Sequence, residues 1–278
     1  MASLPGVVQD QGSFKPRPST ATQGSAMKIH QLRNATIIVH LNERRLLIDP
    51  MLGDVGAFRG FKRFGPGKRP NPLVPLAKGA HEALEEVTDC VITHCQRGHL
   101  DHIDPDGAGF LTEHDIPVWS VADDFAYLRE QGLAPRELVD GTFGMTIRAI
   151  DARHGHGPEG DMLGPGHGWY IAAPNEPSLY LTGDTVLIDA VRTAIAVLKP
   201  DVIVAPAGCA NFGQGQDILF PLEELVELAR LAPGIVVFNH MEALDHCPTT
   251  RQELRILLEA EGVGHKCRIP EDGEMVGI

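Results

Sequence analysis

The stretch VITHCQRGHLDHID, residues 91–104, decides how this chain is read. It grows out of the apolar run VTDCVITH, residues 87–94. A short block of branched and apolar residues of this kind reads as a buried β-strand. The run ends in His94, and His99, Asp101 and His102 follow as an H-x-D-H cluster. Imidazole and carboxylate form the ligand set for zinc, iron or manganese. The ordinary reading of H-x-D-H is a helix start, with Asp as cap and the histidines exposed. The rest of the chain decides between the two.

Three more strands end in the same kind of residue. GMTIRAID (144–151) leads to His154, SLYLTGD (178–184) ends in Asp184, and GIVVFNH (234–240) ends in His240. Each taken alone has a plainer explanation, since an Asp in T-G-D-T is usual turn chemistry. Four strands each placing a ligand-capable side chain at the strand-to-loop junction is the arrangement that builds sites at one edge of a sheet. Metal binding is therefore the reading of the set. His156, two residues after His154, is an alternative ligand.

The remaining pattern frames these strands. ATIIVHL (35–41) and RRLLIDP (44–50) flank Asn42-Glu43 as a hairpin, and residues 51–80 read as loop. PVWSV (117–121), HGWYIAA (167–173) and DVIVAPA (201–207) read as further strands. Helices are expected near 104–114, 123–132, 188–198, 221–231 and 249–262, with a short C-terminal pair of strands after the last. Strands with helices between them give an α/β architecture, sheets flanked by helices. Residues 1–26, rich in Gly, Pro, Ser, Thr and Gln, read as a flexible, disordered leader, and residues 27–278 as the folded domain.

Composition narrows the function classes. The chain has 278 residues, 43% hydrophobic and 22% charged, enough to bury a sizeable core. A formal net charge of −13 opposes nucleic-acid and acidic membrane surfaces. No window approaches ~20 uninterrupted apolar residues, so no membrane span is expected. The five cysteines form no C-x-x-C, which points to a reducing compartment, the cytoplasm. The sequence says nothing of oligomeric state.

The order H…H-x-D-H, then His, then an Asp after a strand, then His resembles the metallo-β-lactamase fold superfamily over roughly residues 27–278. The resemblance is sharper to the branch of ascorbate-phosphate lactonase-like and N-acyl-phosphatidylethanolamine phospholipase D-like hydrolases. ATIIVHLNERRLLIDP, A-R-H-G at 152–155, T-G-D-T at 182–185 and H-x-E-x-x-x-H at 240–246 carry it. The resemblance implies a four-layer αββα sandwich with one or two metal ions at the sheet edge. It implies His99, Asp101, His102, His154, Asp184 and His240 as ligands, with Asp184 bridging. Read without a gap, the family's first His falls on Arg97, whose guanidinium stays charged and cannot ligate. Read with a small insertion it falls on His94, which is preferred because T-H directly after the strand is where the family places that ligand.

The function implied is a metal-dependent hydrolase of a small ester, lactone or phosphodiester, using Zn2+ (or Mn2+ or Fe) to generate hydroxide from a bound water. Asp101 would orient that nucleophile; His246 would either move a proton or stabilise the oxyanion, or belong to a turn before Pro248 and the helix at 249–262. An iron-dependent redox member of the same fold and a non-catalytic metal-binding module are the alternatives. FRGFKRFGPGKRPNPL, residues 58–73, carries Arg59, Lys62, Arg63, Lys68 and Arg69 without an acid, interleaved with Phe58, Phe61 and Phe64. It is either a mobile lid, with Arg59, Lys62 and Arg63 over an anionic small-molecule substrate, or a solvated loop with its Phe residues packed on the body.

Overall fold

The computed structural model describes residues 27–278, and the leader expected over residues 1–26 lies outside them. Strands β1 (Lys28–Arg33), β2 (Thr36–Leu41) and β3 (Arg44–Ile48) form an antiparallel meander. The second hairpin is the one Asn42-Glu43 predicts, with Asn42 supplying a left-handed turn residue at φ 53°. A long excursion follows, carrying the short helix α1 (Ala80–Leu84). Strand β4 (Asp89–Val91) then pairs parallel to β3. Helix α2 (Pro105–Glu113) comes next, capped by Asp104, which accepts from Gly107 N at 2.7 Å. Strand β5 (Val118–Ser120), helix α3 (Phe125–Glu130) and strand β6 (Pro135–Glu137) complete the first half.

The second half builds its own sheet. β7 (Thr146–Arg153) and β8 (Pro165–Ala172) form a hairpin around α4 (Pro158–Leu163), and β9 (Leu179–Leu181) pairs antiparallel to β8. Helix α5 (Asp189–Leu198), β10 (Val202–Pro206), α6 (Leu222–Leu231), β11 (Ile235–Asn239), α7 (Arg251–Ala260) and β12 (Cys267–Arg268) then alternate, with β9 to β12 parallel. The last strand, β13 (Met275–Gly277), returns to pair with β1. The expected C-terminal strand pair is thus two edge strands of different sheets, ordered β13-β1-β2-β3-β4-β5-β6 and β12-β11-β10-β9-β8-β7.

Side-chain alternation makes the layers. Ile37, Val39, Leu46 and Ile48 of the first sheet meet Trp169, Leu181, Val202 and Val204 of the second in one buried cluster. Their neighbours point the other way: Ile38, Leu47 and Cys90 pack under Ala80, Leu84, Ala108, Leu111 and Leu128 of α1 to α3. Ile203, Ala205, Val236 and Phe238 pack under Val191, Ile195, Leu225, Leu254 and Leu258 of α5 to α7. Period-two alternation between two helical faces is what an αββα sandwich requires. Cys95 is fully buried on the first outer face, in the core where the sequence puts it.

Candidate metal centre

Strands β7, β9 and β11 run in the same direction, so their C-terminal ends share one edge of the second sheet. His154 directly follows β7, His240 directly follows β11, and Asp184 follows β9 across the turn at Gly183. That glycine is at φ 63°, and a Cβ there would stand 2.4 Å from the His167 carbonyl, so the turn that aims Asp184 admits no side chain. From the first sheet, β4 delivers His94. The chain then makes a short 3-10 turn at Gln96–Gly98 and brings in His99, Asp101 and His102.

The seven residues meet. His94, His99 and His154 present donor atoms within 4.8 Å of one another, as do Asp101, His102, Asp184 and His240, and all seven residues are buried. Asp184 Oδ2 lies 3.1 Å from His102 Nε2, 3.5 Å from His240 Nε2 and 3.7 Å from His154 Nε2. Asp101 Oδ2 lies 3.4 Å from His240 Nε2. The His94 ring packs against those of His102, His99 and His154 at centroid distances of 4.0, 4.5 and 5.0 Å. The 96–98 turn lies between His94 and His99, where the reading with a small insertion expects extra chain, and His94 is in the cluster. His156 is elsewhere: half-exposed, with Nε2 2.6 Å from Glu224 Oε1.

The outer partners fix which nitrogen faces inward. Asp49 Oδ2 stands 2.9 Å from His102 Nδ1 and accepts from Thr93 Oγ1 at 2.7 Å, while Asp49 Oδ1 accepts from Thr93 N at 2.8 Å. The Thr93 hydroxyl, its proton committed to Asp49, accepts from His94 Nδ1 at 3.1 Å. His99 Nδ1 donates to the Gln96 carbonyl, and His240 Nδ1 lies 3.6 Å from Cys247 Sγ. With a cation bound, a ring proton on Nδ1 in each of these contacts would leave Nε2 as the inward lone pair. Asn34, in the β1–β2 turn, donates from Nδ2 to the Asp101 carbonyl at 3.3 Å, and its own carbonyl accepts from His240 N at 3.0 Å, joining ligands of the two sheets. Sequence reasoning missed Asp49 and Asn34; Asp49 carried a signal, since it ends RRLLI as Asp184 ends its strand.

Electrostatics divides the cluster. Burial, with His102 and His99 beside it, pushes the His94 pKa well down, and burial with His154 beside it takes His99 down to about 4. At His102 and His240 burial is the largest single influence, but neighbouring carboxylates, Asp184 foremost, outweigh it and hold both pKa values well up. Asp184 and Asp101 are in turn held well below the usual carboxylate range, because His102 and His240 overcome their burial. Buried His94 Nε2, His99 Nε2, His154 Nδ1 and His240 Nε2 have no hydrogen-bond partner. An unpaired buried polar atom costs ~1–3 kcal/mol. Unpaired imidazole nitrogens in a buried cluster with two carboxylates are the donor chemistry of a divalent-cation site, and the residues fit one.

These residues sit in the wall of a cavity of about 480 Å3, to which His99, Asp101, His154 and Asp184 contribute. His246 lines it too, its ring edge-on to Phe61 at 5.1 Å. The basic segment forms the mouth. Asp245, adjacent to His246, accepts from Phe61 N at 2.9 Å, Lys62 N at 3.3 Å, Arg69 N at 3.2 Å and Asn71 Nδ2 at 3.1 Å. Arg33, fully buried, donates to the carbonyls of Met51, Gly53 and Val74 at 2.7, 2.9 and 3.0 Å and ties down both ends of the excursion. Phe58 and Phe61 pack on Met51, Phe212 and Leu244. The segment is therefore stapled to the body through its backbone, as the packed-loop reading expects, and still turns cations toward the site. Arg59, Arg63 and Lys68 line the cavity; Lys62, expected there, is not part of its wall.

Comparison with known proteins shows the family and the fold. The family model described as a beta-lactamase superfamily domain matches residues 44–241. The UPF0173 protein YddR of Bacillus subtilis (strain 168) is 30% identical over 253 residues, covering 89% of this chain and 98% of YddR. Among solved structures, the isothiocyanate hydrolase from Delia radicum gut bacteria superposes with a TM-score of 0.80 at 29% identity, covering 91% of this chain and 99% of that one. A possible metal-dependent hydrolase from Veillonella parvula DSM 2008 superposes with a TM-score of 0.83 at 26% identity, covering 91% and 100%.

Proposed function

The chain belongs to the beta-lactamase superfamily and is a metal-dependent hydrolase, and we propose that it cleaves a small ester, lactone or phosphodiester at a binuclear zinc centre. His94, His99 and His154 would hold one ion, Asp101, His102 and His240 the other, with Asp184 between them. The observation that carries this is the position of Asp184 Oδ2, within 3.1–3.7 Å of imidazoles delivered by three separate elements. Bound cations supply electrophilic help, lowering the pKa of water and stabilising negative charge on the substrate oxygen.

The chain's own groups do the rest. Asp49 and Thr93 keep the imidazole protons on Nδ1 of His102 and His94. Asp101, on the cavity wall, accepts a hydrogen bond from the attacking water and orients it. His246, on the same wall, delivers a proton to the leaving oxygen; its pKa is raised because Cys247 outweighs the effect of burial. Water adds across the scissile bond, giving an acid and an alcohol, and no other reactant is needed.

Metal analysis of protein purified without added metal tests the centre, with two zinc equivalents expected. A panel of chromogenic esters, lactones and phosphodiesters, run with and without chelator, tests the reaction; activity that survives Asp184→Ala would refute it. The apolar part of the wall, with Leu163, Phe212, Ile218 and Leu219, favours a second reading in which the substrate is an isothiocyanate with an apolar arm, as the name of one solved neighbour suggests. Loss of benzyl isothiocyanate absorbance at a higher kcat/KM than any ester would select it. A cytoplasmic setting is supported by five cysteines that are all free thiols. No helix among the described residues is long and apolar enough to cross a membrane.

A further inference from the structure

We propose that the cavity mouth is an oxyanion subsite, formed by Arg59, Arg63 and Lys68, that holds a carboxylate or phosphate group of the substrate away from the bond being cleaved. The proposal deepens the hydrolase reading and rests on it. Three observations carry it. First, the three cations line the same cavity as His99, Asp101, His154 and Asp184, in a chain with a net charge of −13. No ion pair involves them among the described residues, so their charge is available to a ligand.

Second, the cations are held in place. Asp245 spends its carboxylate on backbone N–H groups of Phe61, Lys62 and Arg69, on both sides of Arg63 and Lys68, and leaves their side chains unpaired. A Cβ at Gly60 would stand 2.3 Å from both Asp245 Oδ2 and the Arg69 carbonyl, so the chain beside Arg59 passes as close to this anchor as a glycine allows. The Arg63 guanidinium lies 4.2 Å over the Phe212 ring, which fixes its plane while leaving its N–H edge free.

Third, the wall also carries apolar residues, among them Phe212, Ile218 and Leu219. A ligand reaching the mouth and the centre together therefore has an apolar spacer between an anionic end and a hydrolysable end. Arginine forks suit both carboxylate and phosphate, and charge at an exposed rim is sensitive to salt.

Binding by the metal-loaded protein, measured calorimetrically, tests this with phenylbutyrate, phenylpropylphosphonate and neutral phenylbutanol. The expected result is that the anionic probes bind more tightly than phenylbutanol. That preference should fall about tenfold in Arg59→Ser/Arg63→Ser/Lys68→Ser. In the wild-type protein it should also fall as ionic strength rises. The larger loss, carboxylate or phosphonate, identifies the natural group. A preference that the triple variant and salt leave unchanged overturns the subsite, even if chelation abolishes it, because the cations of the centre would then be its source. These measurements need no turnover. A rim-dependent preference in a protein that hydrolyses no ester, lactone or phosphodiester would uphold the subsite and remove that substrate reading, whereas hydrolysis of any of the three without the preference does the reverse.

Discussion

Asp49→Asn tests the centre at a residue that touches no substrate. The carboxylate serves three donors: Thr93 N at Oδ1, and Thr93 Oγ1 and His102 Nδ1 at Oδ2, all within 2.7–2.9 Å. An amide of the same shape has a single oxygen. If that oxygen keeps Thr93 N, its NH2 group faces the Thr93 hydroxyl and His102 Nδ1. The hydroxyl can turn, but the imidazole can accept only by moving its proton to Nε2, the nitrogen 3.1 Å from Asp184 Oδ2. His102 then has no inward lone pair. If the amide flips, Thr93 N is left unpaired in a buried site. Loss of such a supporting hydrogen bond to a ligating histidine lowers metal affinity ~10–100-fold, or about 1.4–2.8 kcal/mol.

The assay is competition against a chromophoric chelator, with zinc titrated into stripped protein and folding checked by circular dichroism. A folded Asp49→Asn protein with zinc affinity within about twofold of wild type would refute the relay. Thr93 and Asp49 would then be packing the seam without orienting a ligand.

The same geometry sets three other outcomes. Metal affinity should rise with pH through the neutral range: burial lowers the pKa values of His102 and His240, but Asp184 and the other anionic neighbours, Cys247 among them at His240, outweigh it and raise both, so a cation competes with protons there. A pH-independent dissociation constant in the same chelator competition would contradict this. His154→Ala lowers the bound metal per chain while His156→Ala does not, since only His154 lies in the cluster and His156 pairs with Glu224; metal analysis after dialysis decides it. Gly60→Ala drives a methyl group into Asp245 and the Arg69 carbonyl and should loosen the basic segment. Trypsin should then cut between Arg59 and Arg69 several-fold faster than in wild type, and an unchanged digestion rate would mean the Asp245 anchor does not hold the segment.

The ligands were legible because four apolar runs each end at or just before one, as Ile235–Asn239 does before His240. Strand β1 was not, although KIHQLR alternates, because it buries His30, Gln31, Arg33 and Asn34 at or beside its end, and such residues read as exposed. Arg33 is fully buried because it satisfies loop carbonyls up to 41 positions away, and sequence gives no sign of that distance. The role of Asp245 was hidden for the same reason, its partners lying 174 to 184 residues away. β12 and β13 look like a hairpin in sequence, yet each completes a different sheet. Local periodicity identifies elements; pairing across the chain is decided by which edges remain open.

The centre belongs to the seam between the sheets. His94, His99, Asp101 and His102 come from the first, His154, Asp184 and His240 from the second, and Asn34 bonds to a residue of each set. Trp169 Nε1 reinforces the seam by donating to the Ile92 carbonyl across it at 3.2 Å, two residues before His94. A cation bound there cross-links the two halves of the chain, so loading stabilises the fold in proportion to the logarithm of free metal over its dissociation constant. The cavity mouth obeys different constraints. Its cations sit on an excursion that neither sheet needs, held by Arg33 and Asp245 through backbone atoms. Substitution at Arg59, Arg63 or Lys68 can therefore alter what is bound without moving a ligand. In this arrangement the metal ligands are tied to the sandwich, and the cations at the cavity mouth are tied to the loop.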